Sequence, residues 1–230
     1  MLGNILMVAS GLSVGMAQPG TAPATLDEML DRPIPDVYRG STRVDSGDLS
    51  VQGAFALALG RASLPGGLEL LKCGEAVPRL LILPGSTVRA ALEQIRKAQP
   101  DLELKVSQDG VVKLLSGSGH ADLLSTRMAD LRLSDLGGAM GSLRQILDAP
   151  EVRSRIAYLR LQEKTPELGF SPMPKPGATM PPPNPRVLHD TSVEEALDII
   201  AKAGGANRIW IYEEDDCVEP HTFTISFPVR

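Results

Sequence analysis

The residues of this chain whose types could do chemistry are few: His120 in "SGSGH", His189 after "RVL", His221 in "EPHTF", Cys73, Cys217 and the acidic run "EEDD" at 213–216. A catalytic histidine needs a nucleophile or a carboxylate held within hydrogen-bond reach. Nothing local supports a catalytic role for any of the three, so a site would have to be assembled in space. "LSGSGH" resembles a serine elbow only in part, because that motif sets its serine on a strand-to-helix turn between two glycines and no helix opens here. "GGAMG" and "LPGG" lack the lysine of a P-loop and the glycine spacing of a dinucleotide fingerprint.

The acidic pairs have plain explanations. Glu194-Glu195 falls in the first turn of a helix, where negative charge opposes the dipole favourably. Asp215-Asp216 falls at a loop tip without the oxygen-ligand spacing of a calcium loop. Zinc needs clustered ligands, and neither cysteine has a second one near it in sequence. The expectation is no catalytic, cofactor-binding or metal-binding residue and no cofactor, hence a protein that is not an enzyme. A hydrolase whose site gathers a histidine and a carboxylate between two domains is the alternative.

Composition narrows the partners. The net charge is −5 with lysine and arginine scattered, and aromatic residues make up 3% of 230 residues. Nucleic-acid surfaces need a cationic face and single strands need stacking platforms, so no nucleic-acid partner is expected. The single tryptophan, Trp210, is expected in a core.

Residues 1–17 form a short apolar run ending Gly15-Met16-Ala17, the pattern of a secretory signal cut after Ala17, although no lysine or arginine precedes it. No second apolar span follows, so no integral membrane span is expected after cleavage, and the protein is expected to be periplasmic or secreted. In an oxidising compartment two distant cysteines pair, and a Cys73–Cys217 disulfide would contribute about 4–5 kcal/mol by restricting the unfolded chain. Two thiols that never meet are the alternative.

Four stretches share one helical stripe at i, i+3, i+4 and i+7: Val51, Ala54, Phe55, Ala58; Val88, Ala91, Leu92, Ile95; Leu136, Ala139, Met140, Leu143; and Val193, Ala196, Leu197, Ile200. Each follows a capping candidate, Asp48 or Ser50, Ser86 or Thr87, Ser134 or Asp135, Thr191 or Ser192. "RLLIL", "ADLRL" and "RVL" precede three of them as apolar extended segments, and segments of period two follow at Leu68/Leu70, Leu102/Leu104/Val106 and Ile209/Ile211. Asp109-Gly110 marks a tight hairpin, and "RIWIYEEDDCVEPHTFTISFPV" a hairpin with a longer loop. Pro150 suits the first turn of a further helix.

The chain therefore divides into a signal peptide (1–17), a flexible leader (18–40) with a short helix at Leu26–Leu30, a first domain (41–116), a strand with two helices (120–162), a proline-rich linker (163–184) and a closing segment (185–230). The last completes a second domain with 120–162. The fold class is α+β, small β-α-β-β-α-β modules with helices packed on short mixed sheets.

The run "LSVQGAFALALGRAS", "GLELL", "RLLILPG", "STVRAALEQIRKAQ", "LELKV", "GVVKLL" over residues 41–116 resembles the secretin and TonB short N-terminal domain, and the layout of the whole is similar to exported bacterial proteins. That resemblance implies an envelope module that contacts partner proteins in the periplasm, and it brings no catalytic residues. No β-barrel or secretin core follows these residues, so receptor or pore function does not transfer. The expected partner is an envelope protein; a structural or adhesive envelope component is the remaining alternative.

Overall fold

The structure, a computed structural model, describes residues 25–34, 38–39, 42–43, 49–73, 79–83, 85–117, 119–136, 138–164, 185–204, 208–217 and 219–228. The signal-peptide assignment and nearly all of the proline-rich linker lie outside the described residues. Along the chain come α1 (Leu26–Leu30), β1 (Tyr38–Arg39), β2 (Thr42–Arg43), α2 (Val51–Arg61), β3 (Gly66–Lys72), α3 (Val88–Ala98), β4 (Leu102–Val106) and β5 (Val112–Ser116). Then follow β6 (Arg127–Leu133), α4 (Ala139–Leu147), α5 (Pro150–Leu159), β7 (Gln162–Glu163), β8 (Arg186–Ser192), α6 (Val193–Ala203), β9 (Ile209–Asp215) and β10 (Thr222–Ser226). The fold is α+β, with helices on short mixed sheets. No described helix is long and apolar enough to cross a membrane.

Caps start the helices where the sequence placed them: Ser50 accepts from the Gly53 amide, Thr87 from Ala90 and Ser192 from Glu195. The third stripe is a correction. Helix α4 begins at Ala139 with Gly138 as an uncapped N-cap, and it buries Ala139, Ser142, Leu143, Ile146 and Leu147. Met140 is 49% exposed, because with the start shifted the apolar side runs through Ser142 and Ile146. "RLLIL" is a second correction: among the described residues 79–83 is extended and forms an antiparallel bridge, Leu80 with Leu49, but no named strand. The Asp109-Gly110 turn is wider than a two-residue hairpin. Only Gly110 has positive φ, and Ser107 closes the loop by donating to the Val111 carbonyl. Part of the stretch read as a flexible leader is docked: Leu30 and Ile34 are buried, and Arg89 of α3 holds Asp27 and Asp31 at 2.8 Å each.

The sheet order is β4-β5-β3-β9-β10-β7. It contains one pattern twice. In β4-β5-β3 an antiparallel hairpin is followed by a strand parallel to its second arm. In β9-β10-β7 the same relations recur. Helix α3 precedes the first hairpin and α6 the second. The units meet where β3 pairs with β9 in parallel over seven positions, Gly66 with Ile209 through Lys72 with Asp215. Following the directions across the sheet, β9 runs opposite to β4, so the second unit is turned over by a half-turn about the axis crossing the strands.

Such a half-turn must put the two helix layers on opposite faces, and side-chain alternation confirms it. Ile209 and Ile211 share a core with α2 and α3, whereas Trp210 and Tyr212 share a core with α4 and α6. On β5, Val112 and Leu114 join the first core and Leu115 the second. A separate antiparallel ribbon, β6 with β8, rests on α4, α5 and α6.

Two adjacent glycines make the joint possible. A Cβ on Gly67 would stand 2.2 Å from the Trp210 ring, and one on Gly66 would stand 3.0 Å from the Val112 carbonyl oxygen. At the far end of the same strands a Cys73–Cys217 disulfide, with 5.1 Å between Cα atoms, closes a sequence separation of 144 residues. The chain-entropy argument gives that closure about 5 kcal/mol. Substitution Gly67→Ala should lower unfolding free energy by about 1–3 kcal/mol by displacing Trp210. Denaturant unfolding followed by tryptophan fluorescence measures it, and an unchanged midpoint would show that the ring has other room.

Candidate functional site

The polar residues of β3 and β5 that face the second unit lie under α6 and form one connected group. Glu69 is the extreme case, a carboxylate with 0% exposure in the middle of a central strand. A charge so placed is tolerated only when its oxygens are filled. The amides of Ser116 and Ala121 donate to it, and His120 Nδ1 donates at 2.9 Å. His120 follows β5, and its other nitrogen, Nε2, reaches Glu194 of α6 at 3.0 Å. Lys113 of β5 bonds Glu194 and also Asp198 at 2.9 Å, and the Trp210 indole donates to Asp198 at 2.8 Å. The chain Glu69–His120–Glu194–Lys113–Asp198–Trp210 thus crosses from one unit to the other.

Its electrostatics follow from that bonding. Hydrogen bonds to Glu194 and Glu69 hold His120 protonated, its pKa raised to about 9 against the opposing effect of partial burial. Burial acts to raise Glu194, but His120 and Lys113 overcome it and bring the carboxyl down to about 2. Lys113 likewise stays charged above its ordinary range, since Glu194 and Asp198 outweigh its desolvation. Burial pushes Asp198 upward while Lys113 and Trp210 pull against it.

Beside the group a cleft of about 620 Å³ opens between the β4–β5 turn and the start of α6, with Asp109, Lys113, Asp190, Glu194, Glu195 and Asp198 on its walls. A neighbouring hollow of about 380 Å³ reaches His120 and Lys105. Both imidazole nitrogens of His120 are occupied by carboxylates, so it has no lone pair with which to abstract a proton. The hydroxyls at the cleft are engaged too: Ser107 accepts from the Val111 amide, Thr191 donates to the His189 carbonyl, and Ser192 caps α6.

The other residues singled out in the sequence lie elsewhere. His189 is exposed on the β6–β8 ribbon, 2.5 Å from Asp130, and His221 sits just before β10, where its carbonyl accepts from Gln162. Cys73 and Cys217 form the disulfide. Glu195 completes a capping box with Ser192, but Glu194, read as a dipole partner only, belongs to the ionic group. Sequence reasoning also passed over Glu69, Lys113 and Asp198. One signal was available: Glu194 and Asp198 are like charges four residues apart on one helix face, unfavourable unless a cation stands opposite. Comparison with family models, with curated proteins and with solved structures found no match to this chain.

The pH dependence of the joint follows from the signs. His120 is raised from 6.5 to about 9, so its contribution is complete below pH 6.5 and is lost as pH rises through about 9. Glu194 is lowered from 4.5 to about 2, so its contribution is complete above pH 4.5 and is lost as pH falls through about 2. Between pH 6.5 and 9.5 the wild-type chain should lose about 1–2 kcal/mol more than a His120→Gln variant. Parallel melting curves for the two proteins across that range would refute the assignment. Lys113→Met should cost about 3–5 kcal/mol at neutral pH by taking the cation from Asp198 and one of two from Glu194, and adding Asp198→Asn should restore part of it while His120 still holds Glu194.

Proposed function

We propose that this chain is an exported, non-enzymatic protein of the bacterial envelope that works by recognising another envelope protein, using modules of the secretin and TonB short N-terminal type. The order extended segment, helix, strand, extended segment, helix, hairpin occurs around Leu49–Ser116 and again from β6 to β10, there with α5 added. That is the order the resemblance implied for residues 41–116, and its recurrence supports the reading.

The observation that carries the mode of recognition is the surface of segment 79–83. It is extended, buries Ile82 and leaves Leu81 and Leu83 exposed at 52% and 56%. Alternate outward leucines on an extended segment suit an added strand of a partner, with apolar residues at every second position meeting them. The ends of the main sheet are poorer candidates. Glu103 and Lys105 point outward on β4, and Gln162 and Glu163 are exposed on β7, the charged edges that discourage pairing.

The gathering of His120 with Glu69 and Glu194 beside a cleft is the observation that favours a hydrolase. Occupation of both ring nitrogens weighs against it and supports an ionic pin between units.

Cross-linking the tagged protein in envelope extract, beside a Leu81→Lys/Leu83→Lys variant, tests the proposal. The wild type should capture one recurrent envelope protein, and the variant should lose at least about tenfold of it while melting at the wild-type temperature, because both leucines already face water. Repeated wild-type captures without a recurrent protein, or equal capture by the variant, would overturn it.

A further inference from the structure

The disulfide sits beside a carboxylate. One ligand atom each from Cys73, Asp216 and Cys217 lies within 4.8 Å of the others, all three residues are exposed, and Cys217 Sγ is 3.4 Å from an Asp216 oxygen. We propose that reduction converts this corner into a binding site for one zinc ion, held by the two thiolates and the Asp216 carboxylate with water in the fourth position.

The argument rests on what keeps the sulfurs together. Cys73 directly follows β3 and Cys217 lies two residues beyond β9, and the strands run in register up to Lys72 with Asp215. Lys72 also bridges to Glu213 at 2.7 Å, and Gln52 of α2 bonds the same carboxylate. The ladder and these contacts hold the strand ends, so breaking the sulfur–sulfur bond does not set the cysteines adrift. Two Zn–S bonds of about 2.3 Å at a tetrahedral angle put the sulfurs about 3.8 Å apart. Cysteines whose Cα atoms stand 5.1 Å apart reach that separation by side-chain rotation.

Two soft thiolates with one carboxylate favour zinc over magnesium or calcium, which take all-oxygen sets. Glu214, Asp215 and Glu219 add negative charge nearby along the chain. The reaction balances with a dithiol as reductant: its two sulfurs become the new disulfide and its two protons pass to Cys73 and Cys217. Zinc then displaces those protons to solvent as the thiolates bind it.

The test is titration of the full chain with Co²⁺ and then Zn²⁺, with the protein oxidised or reduced by a phosphine, while far-UV circular dichroism monitors the fold. The reduced, folded chain should bind one ion with a thiolate-to-cobalt charge-transfer band that zinc abolishes, and the oxidised chain none. Cys73→Ser should remove the band. Asp216→Asn should weaken binding about tenfold at unchanged stoichiometry. The reduced chain in urea should bind at least about tenfold more weakly than the folded one, because it lacks the ladder that gathers the ligands. Equal binding by oxidised protein, no binding by reduced protein, equal affinity in urea, indifference to Asp216→Asn, or loss of the fold on reduction would each overturn the proposal.

Discussion

The parallel pairing of β3 with β9 is the constraint from which the other features follow. It takes a strand that would be the edge of one small sheet and makes it the centre of a larger one, and it does so with the second unit turned over. Once that is fixed, β3 and β5 must satisfy two opposite helix layers. Leu68 and Leu70 serve α2 and α3, and Gly67 and Glu69 serve Trp210, His120 and the residues around α6. Gly67 is small because the Trp210 ring lies on it. Glu69 is tolerable because three donors converge on it.

The joint differs from the outer ends of the two units in what its surfaces carry. The first-unit side of the joint is apolar: α2 presents Gly53, Ala56, Leu57 and Gly60 beside Ile209 and Pro228. Helix α4 buries the same spacing as α2, with Ala139, Ser142, Leu143, Ile146 and Leu147 matching Val51, Ala54, Phe55, Ala58 and Leu59. Aligned on those residues, the outer positions become Gly141, Arg144, Gln145 and Asp148 in α4, with Arg144 beside Glu163 of β7. At the other end, β4 carries Glu103 and Lys105 where β9 carries Ile209 and Ile211. A third unit would have to bury these charges at either end, which costs more than strand pairing returns.

Much of this was legible in the sequence and some was not, for identifiable reasons. Helical stripes and caps were readable at α2, α3 and α6 because period and cap act locally, within one turn of the chain. Helix α4 was displaced because Leu136 and Met140 imitate the stripe, and only packing decides that Ser142 goes inside and Met140 outside. The ionic group was the larger omission. Alternation assigns Glu69 and Lys113 to a solvent face, correctly for a sheet covered on one side. It fails here because the covering helix, α6, comes from a unit about 80 residues further along the chain, as in the Lys113–Glu194 separation of 81. Local pattern can show that Glu194 and Asp198 repel one another on a helix face. It cannot say which strand supplies the cation.

That distribution bears on what the ionic group is for. Buried ion pairs contribute little net stability compared with apolar side chains of the same size, so this one is better understood as setting register. A slip of one residue between β3 and β9 would turn every β9 side chain over, setting Trp210 against α2 and carrying Ile209 and Ile211 under α6. Lys113, bonded to both Glu194 and Asp198, and His120, bridging Glu69 and Glu194, fit one placement of α6 only. Apolar contacts alone, with leucine and isoleucine on both faces, would discriminate far less. The cluster therefore spends its polarity on defining a single joint between two similar units. With β4 and β7 charged at the sheet's two ends, the outward leucines of segment 79–83 stand, with Leu71 of β3, among the apolar side chains of the first unit that face solvent.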